Sequence, residues 1–373
     1  MVHPELDNLI HAVREAAARR TPLAIVGGGT KASRMPAPAG RTALDLRPLS
    51  GIVSYEPTEL VVSVLGGTPL ETVEATLAER GQYLPFEPPR FAPSGTVGGM
   101  VAAGLSGPAR ANVGAVRDYV LGVQMINGQG ELLRFGGTVM KNVAGYDVSR
   151  LLAGSWGSLG ILAEVSLKVL PTPPAEATLA LELTQADALE QLHRWGAQPL
   201  PLNASVWRLD ASGHGQLWLR LRGASAAVES ACRSIGGERI APDVAAEFWT
   251  SIRDQNHAWF AQRDAALALW RLSLPQTAPE TPHVPGQAGP ALIEWHGAQR
   301  WVLAPLQAGG ALRDIAHRLG GHATLSIAPE DQFVLANERF EPLSPPLDRI
   351  HRRIKEAFDP AGIFNPGPMA APV

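Results

Sequence analysis

Residues 146–171 read Tyr-Asp-Val-Ser-Arg-Leu-Leu-Ala-Gly-Ser-Trp-Gly-Ser-Leu-Gly-Ile-Leu-Ala-Glu-Val-Ser-Leu-Lys-Val-Leu-Pro, and their order decides the fold. A short amphipathic piece around Val148, Leu151 and Leu152 gives way to a glycine-rich turn, Gly154 to Gly160. Glycine has no Cβ, so the backbone there can approach a planar ligand closely. A strand begins at once. From Ile161 to Leu170 apolar residues dominate, while Glu164, Ser166 and Lys168 fall on alternate positions, the period of a half-buried strand.

Upstream, an amphipathic helix with Leu6, Ile10, Val13 and Ala17 on one side precedes the strand Leu23 to Val26. Short strands are expected at 43–46, 52–55 and 61–65, then a helix over 69–80 with Pro69 in its first turn. Asn127-Gly128-Gln129-Gly130, between apolar runs 119–126 and 131–135, is a hairpin signal. The stiff linker Pro171-Thr172-Pro173-Pro174 punctuates the chain. Beyond it, helix-like 186–195 and 226–234 flank strands 205–209 and 217–221, the pattern of helices laid on an antiparallel sheet.

The chain's 373 residues suffice for two cores, and no apolar run is long enough to span a bilayer. The first residues lack the basic and apolar regions of a leader, so a cytoplasmic location is expected. With a net charge of −3 and no Lys/Arg stripe, no nucleic-acid surface is expected. Cys232 is the single cysteine, which excludes an intrachain disulfide and any iron–sulfur cluster held by this chain alone. No metal site is expected.

Two further glycine-rich segments carry the chemistry. Gly27-Gly28-Gly29-Thr30-Lys31-Ala32 follows a strand and satisfies the dinucleotide pattern, with Asp45 where a ribose-binding acid would fall. That pattern demands a helix next, yet Met35-Pro36-Ala37-Pro38-Ala39-Gly40 would break its first turns. What remains is a loop through Ser33 that is either an ordinary turn or a nest whose successive N–H groups bind a pyrophosphate. Ser94-Gly95-Thr96-Val97-Gly98-Gly99, with Ser106 and Gly107 beyond it, offers small residues and hydroxyls to the rest of such a ligand, or else tight helix packing.

These segments, in this order, resemble the FAD-binding domain of the vanillyl-alcohol-oxidase (PCMH-type) flavoproteins, notably the D-lactate dehydrogenase and glycolate oxidase branch. Lys141-Asn142-Val143-Ala144-Gly145-Tyr146-Asp147 and Phe358-Asp359-Pro360-Ala361-Gly362-Ile363-Phe364-Asn365-Pro366-Gly367 resemble glycolate oxidase flavoprotein subunits, and the short length fits the E type better than the D type. The resemblance covers most of residues 20–172 and the tail, and is thin between them. It implies an α+β fold: a PCMH-type FAD-binding domain over 1–172, a smaller α+β cap domain over 173–330, and a segment 331–373 returning to the first domain. It also implies noncovalent FAD, because Thr30 stands where covalent members tether the flavin through histidine. The FAD contacts it implies are Gly27 to Ser33, Ser94 to Gly99, Ser106, Gly107, Gly157, Gly160 and Ile161. The implied role is the FAD-binding subunit of a glycolate oxidase complex, contributing to oxidation of glycolate to glyoxylate. Its implied partners are a second FAD-binding subunit and an iron–sulfur subunit, through which it reaches the inner face of the membrane and a quinone. The alternatives are a self-sufficient 2-hydroxy acid dehydrogenase and a flavin-free docking subunit.

In the cap, D-type relatives carry a His-Gly-Asp-Gly-Asn motif, whereas this chain has His296-Gly297-Ala298-Gln299-Arg300. That departure predicts poor turnover by the isolated chain. A 2-hydroxy acid needs a guanidinium for its carboxylate and a base for its hydroxyl proton. Arg271, a charge inside the apolar run 269–275, is the candidate for the first, the alternative being a head that reaches solvent. His296 is the candidate for the second, or a packed structural histidine. Trp249, Trp259 and Phe260 are expected to line a pocket or a partner surface, or to fill the core.

Overall fold

The computed structural model describes residues 4–36, 39–137, 147–330, 332, 334 and 336–365. The Lys141 to Tyr146 motif and the terminal Pro366-Gly367 lie outside the described residues.

The strand Ile161–Lys168 is the middle of a five-stranded antiparallel sheet, ordered Ile52–Glu56, Val61–Leu65, Ile161–Lys168, Val120–Ile126, Leu132–Gly136. It is buried on both faces, not half-buried as its polar alternation suggests. Ile161 and Ala163 join a cluster with Leu9 and Val13 of the first helix and with Ile363 and Phe364 of the tail. Leu162, Val165 and Leu167 join another with Val73, Phe86 and Val101. Ser166 tolerates burial because its hydroxyl meets that of Ser63 at 2.7 Å on the neighbouring strand. The Asn127–Gly130 hairpin forms as expected: Asn127 Oδ1 accepts from the N–H groups of Gln129 and Glu131, and Gly130 takes the left-handed conformation.

After the proline linker the chain builds an eight-stranded antiparallel sheet, larger than the first. Helices Gln185–Gly196, Ser225–Ile235 and Gly309–Arg318 cover one face, and Pro242–Arg253 with Ala258–Ala261 cover the other. This second covering corrects the reading of Trp249, Trp259 and Phe260 as a partner surface. All three are under 10% exposed within the core. Trp249 Nε1 donates to Thr178 Oγ1 at 2.9 Å, which satisfies the polar end of a ring filling a sheet–helix layer.

The tail closes on the first sheet. Leu23 N–H donates to Ile363 O at 2.8 Å, and Leu23 bridges Phe364 in parallel. Asp359, 2% exposed, accepts from the N–H groups of Ile363 and Phe364 and pairs with Lys355 at 2.6 Å. Lys355 also donates to the carbonyls of Ser158 and Phe364, tying the last helix, Pro345–Phe358, to the glycine turn of 154–160.

Candidate functional site

Strand Leu23–Val26 delivers the chain into the Gly27 loop, and no helix follows. Instead Ala32 N–H bonds Gly29 O, and Arg34 and Met35 N–H both bond Lys31 O, giving successive turns. Asp45 does not sit as a ribose ligand; it forks with Arg47. Among the described residues, the N–H groups of Gly28, Gly29, Thr30 and Lys31 have no hydrogen-bond partner, the state a nest requires. The Gly27 and Ser94 loops lie directly against each other. A Cβ on Gly28 would fall 1.5 Å from Ser94 O, and Ser94 Oγ donates to Gly28 O at 2.9 Å.

A cleft of about 240 Å³ runs between these loops and the 154–160 turn. Of the predicted contacts it is lined by Gly27, Gly28, Gly29, Thr30, Lys31, Ala32, Thr96, Gly98, Gly99, Gly157 and Gly160. The others lie elsewhere. Ser33 is exposed, Ser94 braces the first loop, and Gly95 O accepts from Leu70 N–H at 2.8 Å. Val97 and Ile161 are fully buried core residues. Gly107 sits at the seam between the layers, its carbonyl accepting from Trp295 Nε1 at 3.0 Å. Ser106 lines a second cavity. A wall of glycine and alanine beside unpaired amides suits a flat dinucleotide with a charged centre. Lys31 adds a cation there, its ammonium pushed down to about 8 by burial and by Arg34.

The second cavity, about 390 Å³, continues from the first and shares Met35, Ala103 and Trp156 with it. It opens between the glycine-rich layer and the eight-stranded sheet. Arg34, Arg110, Arg117, Arg271 and His322 line it, and among the described residues its lining has no Asp or Glu. Arg271 belongs here, not in solvent. Its Nε is enclosed without a partner, and burial with the Arg110 charge pushes its guanidinium down to about 10. Arg34 and Arg271 are enclosed there without a carboxylate partner, which is costly, so the cavity calls for an anion. In the sheet register Arg271 pairs with Thr324 and Ser273 with His322, so Arg271 and His322 are diagonal neighbours, roughly 7–8 Å apart by strand geometry. Burial and Arg271 hold the His322 imidazole below its ordinary value.

His296, the candidate base, lies elsewhere. It lines neither cavity. Its N–H donates to Ser205 Oγ, its Nε2 meets Asn112 Nδ2 at 2.6 Å, and burial pushes its pKa down to about 4. The turn it shares with Trp295, both residues left-handed, aims the Trp295 ring at the cavity with Arg110 stacked 4.5 Å over it. Sequence reasoning missed Arg34, Arg110, Arg117 and His322, whose only local signal is a charge among small or β-branched residues.

Behind the cavity wall, the buried Glu294 accepts from Trp301 Nε1 and Gln299 Nε2. Burial pushes its carboxyl up to about 7, against the opposing pull of those hydrogen bonds. A folded pKa above the unfolded one means this contribution to stability is complete below about pH 4.5 and is lost as pH rises through about 7. Glu294→Gln is expected to remove roughly 2–3 kcal/mol of that loss. Urea midpoints at about pH 5 and about pH 8 measure it, and an unchanged pH difference in the variant counts against the assignment.

The FAD binding domain family matches residues 4–136, and the family of FAD linked oxidases, C-terminal domain, matches residues 343–369. The glycolate oxidase subunit GlcE of Escherichia coli K12 is 44% identical over 363 residues, covering 97% of both chains. The D-2-hydroxyglutarate dehydrogenase of Xanthomonas citri pv. viticola is 32% identical over 48% of this chain and 38% of its own. The glycolate oxidase subunit GlcD of Bacillus subtilis is 29% identical over 50% of this chain and 39% of its own. In fold, a solved alkyldihydroxyacetonephosphate synthase matches with a TM-score of 0.69 at 16% identity, over 96% of this chain and 75% of that one. FAD is the cofactor these matches assign, and the glycine-walled cleft fits it. With such identity across nearly its whole length, the chain belongs to the FAD-linked oxidases, in the family of the GlcE glycolate oxidase subunits.

Proposed function

We propose that this chain is the FAD-binding subunit of a glycolate oxidase complex and contributes to oxidation of glycolate to glyoxylate. The observation that carries the reading is the acid-free arginine cavity opening directly from the glycine cleft. The Gly28 to Lys31 amides and the Lys31 ammonium hold the pyrophosphate without a covalent bond to the flavin. Bound FAD supplies the two-electron acceptor for the hydride on the hydroxyl-bearing carbon. Arg271 takes the substrate carboxylate as a planar fork, and Trp295 and Trp301 exclude water beside it. His322, on the cavity's exposed side and held below its ordinary value by partial burial and by Arg271 against the pull of Glu341, accepts the hydroxyl proton.

A second flavoprotein subunit and an iron–sulfur subunit complete the assembly in this reading. They drain the electrons towards a quinone, since Cys232 alone holds no cluster. No helix among the described residues is long and apolar enough to cross a membrane, which agrees with attachment to the inner membrane face through partners.

Glycolate added to the flavin-loaded chain is expected to perturb its visible spectrum, and Arg271→Met to weaken that binding by about 10–100-fold, the worth of a charged fork. Equal binding by the variant removes Arg271 from the site. Steady-state turnover with a quinone as acceptor is expected to be negligible for the chain alone and restored by its partner subunits. Brisk turnover by the chain alone would favour a self-sufficient 2-hydroxy acid dehydrogenase, a reading to which the arginine cavity itself lends weight.

A further inference from the structure

Arg34 follows the Gly27–Lys31 loop after two tight turns, which tie its backbone to that loop. It reaches across the seam into the cap. Nη1 donates to Ser326 Oγ at 2.7 Å on strand His322–Ile327, and Nη2 donates to Gln255 Oε1 at 2.6 Å just past helix Pro242–Arg253. The guanidinium lies 4.0 Å over the Phe91 ring and is 8% exposed. Both acceptors are neutral, so this cation is positioned rather than neutralised, and burial with Arg271 and Arg263 pushes it down to about 9.

Gln255 holds a conformation suited to glycine. Its φ is +56° at the position just after the helix C-cap Asp254, where glycine is the usual residue. A left-handed glutamine there stores strain, and an observed outlier of this kind calls for a function. What the side chain gains is Arg34. The same turn is stitched to the first layer a second time, Asp254 Oδ1 accepting from Arg90 N–H at 2.7 Å.

From this geometry we infer that Arg34 is a positioning residue that couples cofactor occupancy of the glycine loop to the seating of the cap over the arginine cavity. Cofactor on the loop fixes its turns, the turns fix Arg34, and Arg34 fixes the 254–257 turn and the His322–Ile327 strand that carries the proposed base. The inference rests on the cofactor placement proposed above.

Hydrogen exchange of the full chain, with and without FAD, tests it. FAD is expected to slow exchange of the Gln255 and Asn256 amides at least tenfold in the native protein. Arg34→Met is expected to abolish this protection and weaken FAD about tenfold. Gln255→Gly relieves the strained φ, so a purely structural role predicts an equal or higher melting temperature with protection intact. Coupling predicts that the same variant folds well yet loses the FAD-dependent protection, and that Gln255→Glu, which keeps an acceptor for Arg34, retains it. Protection that persists in both Arg34→Met and Gln255→Gly, or that FAD binding fails to produce in the native chain, overturns the coupling alone. Failure of the native chain to bind FAD overturns the loop assignment and the coupling with it.

Discussion

Gly28→Ala is expected to strip the chain of its flavin and destabilise it by more than about 2 kcal/mol, because the new methyl collides with backbone. The added carbon would stand 1.5 Å from Ser94 O, and a carbonyl fixed between two packed loops has no rotamer through which to yield. The two glycine loops must therefore part, and the nest parts with them. Gly29→Val gives the informative contrast. At Gly29 nothing lies within 4 Å, so the side chain projects into open cleft space, and only the φ of +68° resists substitution. That left-handed position costs about 1–2 kcal/mol for an L-residue. The valine variant is expected to fold and to lose most of its flavin. Flavin absorbance per mole of chain after desalting, with urea midpoints alongside, measures both. Full flavin in a folded Gly29→Val variant would move the phosphate loop elsewhere.

Glu87→Ala is expected to cost about 3–5 kcal/mol, the usual penalty for orphaning a buried charge. Arg220, 2% exposed on the cap sheet, donates to Glu87 Oε1 at 2.6 Å, and Arg222 adds a second contact at 3.3 Å. Glu87 Oε2 accepts from Ala109 N–H at 3.0 Å, so a single carboxylate joins cap, seam and glycine layer. Burial raises the Glu87 carboxyl, but the two guanidiniums and the Ala109 hydrogen bond pull it further the other way, leaving it below its ordinary value. A depressed carboxylate stabilises above its unfolded pKa of about 4.5, and that contribution is lost as pH falls through the folded value. Glu87→Ala combined with Arg220→Met should be less damaging than Glu87→Ala alone, since removing both charges leaves none stranded. A loss below about 1 kcal/mol in the single variant would mean that the pair is effectively solvated.

What could be read from the sequence was local. The Asn127–Gly130 hairpin and the failure of Gly27–Ala32 to start a helix depend on residues adjacent in the chain, and both formed as read. Misreadings arose where a partner lies far away in sequence. Ser166 looked like an outward polar residue because Ser63, which satisfies it, is remote in the chain. His296 and His322 are indistinguishable as letters beside apolar neighbours. One is pinned by Asn112 and Ser205, while the other is carried to the cavity by strand register with Ser273. Trp249 and Phe260 looked available for a partner because the second helical covering of the cap sheet leaves no periodic signal in the strands it buries.

The pairing of Leu23 with Phe364, and of Trp156 O with the Asn365 side chain, bears on how the molecule is made. A ribosome delivers the glycine loops early and the segment that closes behind them only after the cap. Until Phe364 emerges, strand Leu23–Val26 is paired on one side only, with Thr42–Asp45, and the wall beside Trp156 lacks its lock, while the residues of the cap sheet are contiguous in sequence. Native cofactor capture thus waits for a segment made after the cap, and until then one edge of that strand stays open.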